Sequence, residues 1–194
     1  MKNLLVGIFL LLAPIMNGQA VHYRIETGKP QQIMEHFSSS DAWSTQFVGL
    51  WPQEKQNQMA DWLFSMETDS KGQPKGIGLP LWRFYVGAGS TEQGEESQIG
   101  SVWTRAECFD GTYNWDKMKG QRNFIKLAKE RGVNKFLAFL NSPPVNFTQN
   151  GLATNTGRDG TFNMKSDCYV KYAAYLADII EGVEKHDGIK FNYI

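Results

Sequence analysis

Apolar residues along the chain fall into two patterns: short unbroken runs, as in strands buried on both faces, and repeats every three to four residues, as in helices with one buried face. Leu79 to Val86 is apolar except for Arg83, and Lys135 to Phe139 is a shorter run of the same kind. Gln31 to Ser39 reads as an earlier strand that passes into the polar tract Ser38-Ser39-Ser40-Asp41, and Phe191 to Ile194 reads as the start of a later one. Helical spacing fills the intervals. Pro52 in a first turn opens a helix with Met59, Trp62, Leu63 and Met66 on one side. Trp115 to Arg131 spaces Met118, Phe124, Ile125, Leu127 and Ala128 helically, and Gly132 stops it. Ser166 or Asp167 caps a third helix through Glu184, with Tyr172, Tyr175, Leu176 and Ile179 on one face.

Strands alternating with helices predict parallel βαβ units in an α/β protein. The long loops, residues 87–114 and 140–165, both follow strands, whereas the helix-to-strand connections are short. That asymmetry suits a (β/α)8 TIM barrel, in which the loops after the strands build the active face. A doubly wound sheet would carry a glycine-rich phosphate turn after its first strand, where this chain has Ser-Ser-Ser-Asp. The glycines at 87, 89 and 94 follow the second strand and lack dinucleotide-binding spacing. A whole barrel needs roughly 250 residues. Residues 31–194 are therefore expected to form a barrel truncated to its first three to four β/α units.

Charge and composition narrow the function classes. Twenty Lys+Arg balance twenty Asp+Glu without a basic cluster, which argues against a nucleic-acid partner. Residues 1–20 have the form of a cleavable signal peptide: Lys2, an apolar stretch from Leu4 to Ala13, then small residues ending at Gly18-Gln19-Ala20. Pro14, Asn17 and Gln19 break the stretch before it reaches the ~20 apolar residues of a membrane span. A secreted or periplasmic product, cut after Ala20 and without a membrane span, is expected. Export permits a disulfide between Cys108 and Cys168; two buried thiols are the alternative. No His-x-x-x-His pair or Gly-x-Ser-x-Gly motif is present, so neither a metal, a cofactor nor a serine nucleophile is indicated. The 6 Trp, 7 Tyr and 12 Phe serve protein cores and sugar clefts alike, and do not choose between them.

Five ordered blocks do choose. They are Ser39-Ser40-Asp41-Ala42-Trp43-Ser44; Leu81-Trp82-Arg83-Phe84 with Gly87-Ala88-Gly89-Ser90; Arg105-Ala106-Glu107-Cys108-Phe109; Asp110-Gly111-Thr112-Tyr113; and Asn141-Ser142-Pro143-Pro144. Together they resemble the first half of glycoside hydrolase family 30, in its endo-β-1,6-galactanase-like branch. The resemblance implies a (β/α)8 barrel with a side β-domain, to which residues 21–30, extended from Val21 to Thr27, would contribute a strand. It also implies a retaining hydrolase of β-linked oligo- or polysaccharides. The family's acid/base glutamate follows the fourth strand in an Asn-Glu-Pro motif, and its nucleophile glutamate follows the seventh. Neither position falls within this chain, so residues 1–194 alone are expected to be inactive and to need the C-terminal half of the barrel.

The substrate-side residues are expected here. Asp41 and Trp43, after the first strand, would bind sugar by a carboxylate and by a flat indole face; capping and core packing are the other readings. Asn141, after the third strand, would bind a sugar hydroxyl or else its own loop backbone. Arg83, the one charge in an apolar strand, needs a partner; the resemblance makes that partner the nucleophile carboxylate, and a plain barrel salt bridge is the alternative. Trp82 is expected to face outward against a helix, and Trp103, Arg105 and Glu107 to be local loop residues. A non-catalytic glycan-binding protein and a different exported TIM-barrel enzyme remain as alternative functions.

Overall fold

Three parallel strands lie side by side in the order β1-β2-β3: β1 is Ser38–Ser40, β2 is Leu81–Val86 and β3 is Lys135–Leu140. The computed structural model describes residues 21–109, 112–154 and 162–194, so the expected signal peptide lies outside the described residues. The chain divides into two units, residues 1–34 and residues 35–194. Of the first, residues 21–34 are exposed and hold no strand, and a turn there is closed by Lys29 N–H on the Glu26 carbonyl at 3.1 Å. Val21 to Thr27 is thus unpaired among the described residues.

In the second unit Ser40 pairs with Arg83, and Arg83 with Leu137, as sequential strands of a βαβ series do. The fourth strand is present as a single parallel bridge, Leu137 to Tyr193, with Ala138 N–H on the Tyr193 carbonyl at 2.9 Å. Between the strands run α1 (Thr45–Val48), α2 (Gln53–Phe64), α3 (Ser90–Gln93), α4 (Lys119–Glu130) and α5 (Tyr169–Asp187). The first strand is shorter than Gln31 to Ser39 predicted, and Ile33 and Phe37 stay exposed. The helix before β3 begins at Lys119, because Met118 takes a left-handed φ of 54° and residues 115–118 are turns.

The strand pleat divides the side chains. Trp82, Phe84, Val86, Phe136 and Ala138 are buried on the helix side, where Trp82 meets Phe64 of α2 at 5.0 Å and Phe124 of α4 at 5.6 Å between ring centroids. Trp82 therefore faces outward as expected. The α2 face is rotated from the one expected: Gln56, Ala60 and Phe64 are buried, while Trp62 is 56% exposed and Met66, beyond the helix, 81% exposed. Gln56 can enter because its amide donates to the Trp51 carbonyl at 2.6 Å. α1 crosses α4 at Gly49 and Gly120, where an added Cβ would strike the opposing backbone. Across the outer layer, Arg122 of α4 grips Asp187 of α5 through two hydrogen bonds of 2.6 and 3.0 Å.

Candidate functional site

The opposite face of the sheet carries Arg83 and Tyr85, opposite Leu137 and Phe139 in register. At its C-terminal end the chain leaves β1 at Asp41, whose N–H donates to the Arg83 carbonyl at 3.1 Å and lengthens the ladder by one residue. The Asp41 carboxylate turns back onto β2, and both its oxygens accept the Tyr85 N–H, at 2.9 and 3.0 Å. Asp41 is 2% exposed. Burial pushes its carboxyl from 3.8 up to about 7, against the opposing pull of the Tyr85 N–H and, more weakly, of the Arg83 charge. The group is a buried tie between the ends of β1 and β2.

That tie shapes the next two residues. Ala42 and Trp43 adopt positive φ values of 32° and 71°, a conformation that costs an L-residue on the order of 1–3 kcal/mol and persists only where its surroundings enforce it. The half-buried Trp43 ring stands edge-on to Tyr85, with centroids 6.0 Å apart at 81°. Asn141, the first residue after β3, is exposed. Trp43 and Asn141 both lie beside the Tyr85 phenol. Burial raises the pKa of that phenol, and the polar groups of Trp43 and Asn141 beside it oppose the rise.

Asp41 and Trp43 after β1 and Asn141 after β3 thus meet at Tyr85 of β2, a residue the sequence reading passed over. Its signal was available: Tyr85 lies two residues after Arg83, and period-two alternation puts both on one face. Arg83 itself stacks its guanidinium carbon 3.3 Å from the centroid of the Phe139 ring. Its buried Nε has no hydrogen-bond partner among the described residues. Arg83 lines a cavity of about 400 Å³ together with Leu137, Phe139, Tyr172 and Ile194.

The remaining candidates are placed otherwise. Arg105 donates to the Ile99 carbonyl at 2.9 Å, and Glu107 accepts the Met118 N–H at 2.5 Å, so each braces its own loop. Cys108 and Cys168 form no disulfide, which corrects the bridge considered above. Each is a buried thiol with its own surroundings: Cys108 contacts the Tyr175 hydroxyl at 3.3 Å, and Cys168 lies 3.8 Å from an Asp167 oxygen. A separate cleft of about 630 Å³ opens between the loops after β2 and β3 and helix α5, walled by Phe109, Tyr113, Phe147 and Tyr175.

Comparison with known proteins gives this arrangement a context. A crystal structure of a conserved exported protein from Bacteroides fragilis is 40% identical with a TM-score of 0.80, over 88% of this chain and 35% of that one. The catalytic domain of GH30 xylanase C from Talaromyces cellulolyticus is 25% identical with a TM-score of 0.52, over 81% of this chain and 34% of that one. Endo-beta-1,6-galactanase from Hypocrea rufa is 29% identical over 92 residues, which make up 47% of this chain and 19% of the galactanase. The chain therefore spans about a third of the solved relatives and a fifth of the curated one. The sequence profile of O-glycosyl hydrolase family 30 matches residues 20–194. With that match running through β1, β2 and β3 and every residue gathered at their ends, the chain belongs to O-glycosyl hydrolase family 30.

Proposed function

We propose that residues 31–194 are the N-terminal part of a (β/α)8 barrel in a secreted retaining β-glycosidase that acts on a galactan-like polysaccharide. On this reading Trp43 and Asn141 hold a sugar at the strand ends, and Asp41 supports them from behind rather than touching the substrate. Retaining hydrolysis uses two carboxyl groups about 5–5.5 Å apart, one protonating the leaving oxygen and one attacking the sugar. Asp41 suits neither role, since both its oxygens face the Tyr85 N–H and it is closed to solvent.

Arg83 is the observation that carries the reading. A guanidinium is always charged, and burying it without an anionic partner is costly. Its Nε is buried and unbonded among the described residues, on the sheet face where β3 leaves Leu137 and Phe139 only half covered. A carboxylate brought there by further strands would pair with it and, held beside a positive charge, stay ionised as a nucleophile must. The relatives named a galactanase and a xylanase support a β-glycan substrate, and the one named as exported supports secretion.

The test compares residues 1–194 with the complete coding product on β-1,6-galactan and xylan. The complete protein is expected to hydrolyse a β-glycan with retention at the anomeric carbon, while residues 1–194 alone do not. Arg83→Ala in the complete protein is expected to lower kcat by about 100-fold, in line with loss of one preorganised charge. Turnover by residues 1–194 alone would refute the reading.

A further inference from the structure

A second cluster stands at the same end of the sheet, where α1 follows β1 and residues 99–107 lie in the loop after β2. Trp103 is 63% exposed, and its ring rests against Phe47 of α1, with centroids 4.5 Å apart at 63°. A large apolar ring left in water costs free energy that folding does not recover. The ring is nevertheless firmly mounted. Gln46 of α1 donates to the Arg105 carbonyl at 2.5 Å, Arg105 Nε donates to the Ile99 carbonyl at 2.9 Å, and the Thr104 hydroxyl donates to the Ser101 carbonyl at 3.0 Å. Loop and helix thus hold the two rings in one geometry before any ligand arrives, which lowers the ordering cost of binding.

Phe47 also lines a cavity of about 420 Å³, together with Val102, Arg105, Glu107, Asp116 and Lys119. Two cations and two carboxylates share this wall, yet among the described residues no ion pair joins them. Arg105 uses its Nε within the loop, and Glu107 uses Oε2 to accept the Met118 N–H at 2.5 Å. The terminal guanidinium nitrogens and the Lys119 ammonium are left as donors, and the other carboxylate oxygens as acceptors. Because the four charges cancel, an anion or a cation would meet as much repulsion as attraction. A protein partner would prefer an apolar centre depleted of charge. A neutral ligand rich in hydroxyls uses donors and acceptors alike, and its apolar ring face suits Trp103 and Phe47. A pyranose unit of a glycan has that chemistry.

We propose that Trp103, Phe47 and the adjoining cavity form an outer glycan subsite, which holds a second sugar unit beyond the one at Trp43 and Asn141. The inference rests on the glycosidase reading and adds to it a preference for long chains over short ones. Trp103→Ala removes the exposed ring and leaves the Gln46 and Arg105 bonds of the loop in place, whereas Trp103→Phe keeps an aromatic face.

The experiment takes the complete protein, as wild type, Trp103→Ala and Trp103→Phe, through affinity electrophoresis in gels holding β-1,6-galactan or xylan, and through kinetics on the polymer and on aryl β-monoglycosides. Wild type is expected to be retarded by one of the two glycans, Trp103→Ala to lose most of that retardation, and Trp103→Phe to keep much of it. On the polymer, Trp103→Ala is expected to raise KM about tenfold with kcat within about twofold, as loss of a contact made equally before and during the reaction does. On the aryl monoglycosides it is expected to change nothing, which a disturbance of the fold would not produce. The proposal is overturned if wild type is retarded by neither glycan, if Trp103→Ala is retarded like wild type, or if KM rises equally on polymer and monoglycoside. If wild type self-associates in size-exclusion chromatography and Trp103→Ala is monomeric with unchanged retardation, the face is a protein interface and the proposal falls as well. Retardation that depends on Trp103 in a protein that hydrolyses nothing sinks the glycosidase reading and leaves the subsite standing; hydrolysis without any Trp103 effect sinks the subsite alone.

Discussion

Asp41→Asn separates the structural work of this carboxyl from any direct contact with sugar. Folding raises the Asp41 pKa from 3.8 to about 7, chiefly by burial. Between those two values the folded protein holds a proton that the unfolded chain has lost. Stability from this group is therefore complete below pH 3.8, declines as pH rises, and reaches its floor above about 7. The decline amounts to about 4 kcal/mol at 1.36 kcal/mol for each pH unit. Asparagine keeps an oxygen that accepts the Tyr85 N–H and carries no charge to bury. The variant should be slightly less stable than wild type near pH 4, for want of an acceptor for its amide, and more stable by up to about 4 kcal/mol at pH 8. Urea denaturation of the complete protein at pH 5 and pH 8 measures this directly. With the usual slopes, such a gain lifts the pH 8 midpoint by more than about 1 M. The difference between the two proteins, rather than either curve alone, is the quantity to read, because other titrating groups cancel from it. If Asp41→Asn is no more stable than wild type at pH 8, the carboxyl is not a buried charge and the reasoning fails.

Two further outcomes test the packing that positions the site. Arg122→Ala leaves Asp187, whose side chain is 1% exposed, with Lys126 at 3.5 Å in place of its bidentate partner; the expected loss is about 3 kcal/mol by denaturant unfolding, the low end for a broken buried pair, and a loss under about 1 kcal/mol would count the pair as a surface one. Gly120→Ala drives a methyl against the Gln46 backbone where α1 crosses α4, so it should destabilise by about 1–3 kcal/mol despite alanine's better helix propensity. A rise in melting temperature for Gly120→Ala would mean that the two helices are not in close contact.

Local pattern was enough to read the elements. β2 and β3 were legible because a parallel strand covered on both faces must be almost wholly apolar, and α5 because Tyr175 and Ile179 repeat at four residues. Gly132 ends its helix at a φ of 92°, a backbone state open to glycine, as expected, whereas the last helix runs past Glu184 to Asp187 and stops at Gly188, φ 67°. The outward direction of Trp82 followed from strand alternation. The α2 face was misread because hydrophobicity put Trp62 inside, whereas packing admitted Gln56, whose amide found the Trp51 carbonyl, and stacked Phe64 on Trp82.

What the sequence determined by itself was the order of strands and helices, the parallel α/β class and the family, since these depend on residues near one another in the chain. Only the tertiary structure decided what the chemically active residues do. Asp41, Tyr85 and Asn141 are separated by dozens of residues and meet only through strand register. Register turned the Asp41 carboxylate onto the Tyr85 N–H rather than toward open space, kept the two cysteines in separate surroundings, and made Tyr85 the centre of the cluster. Burial, hydrogen-bond direction and pKa are properties of a residue's neighbours, and for these residues the neighbours come from other strands.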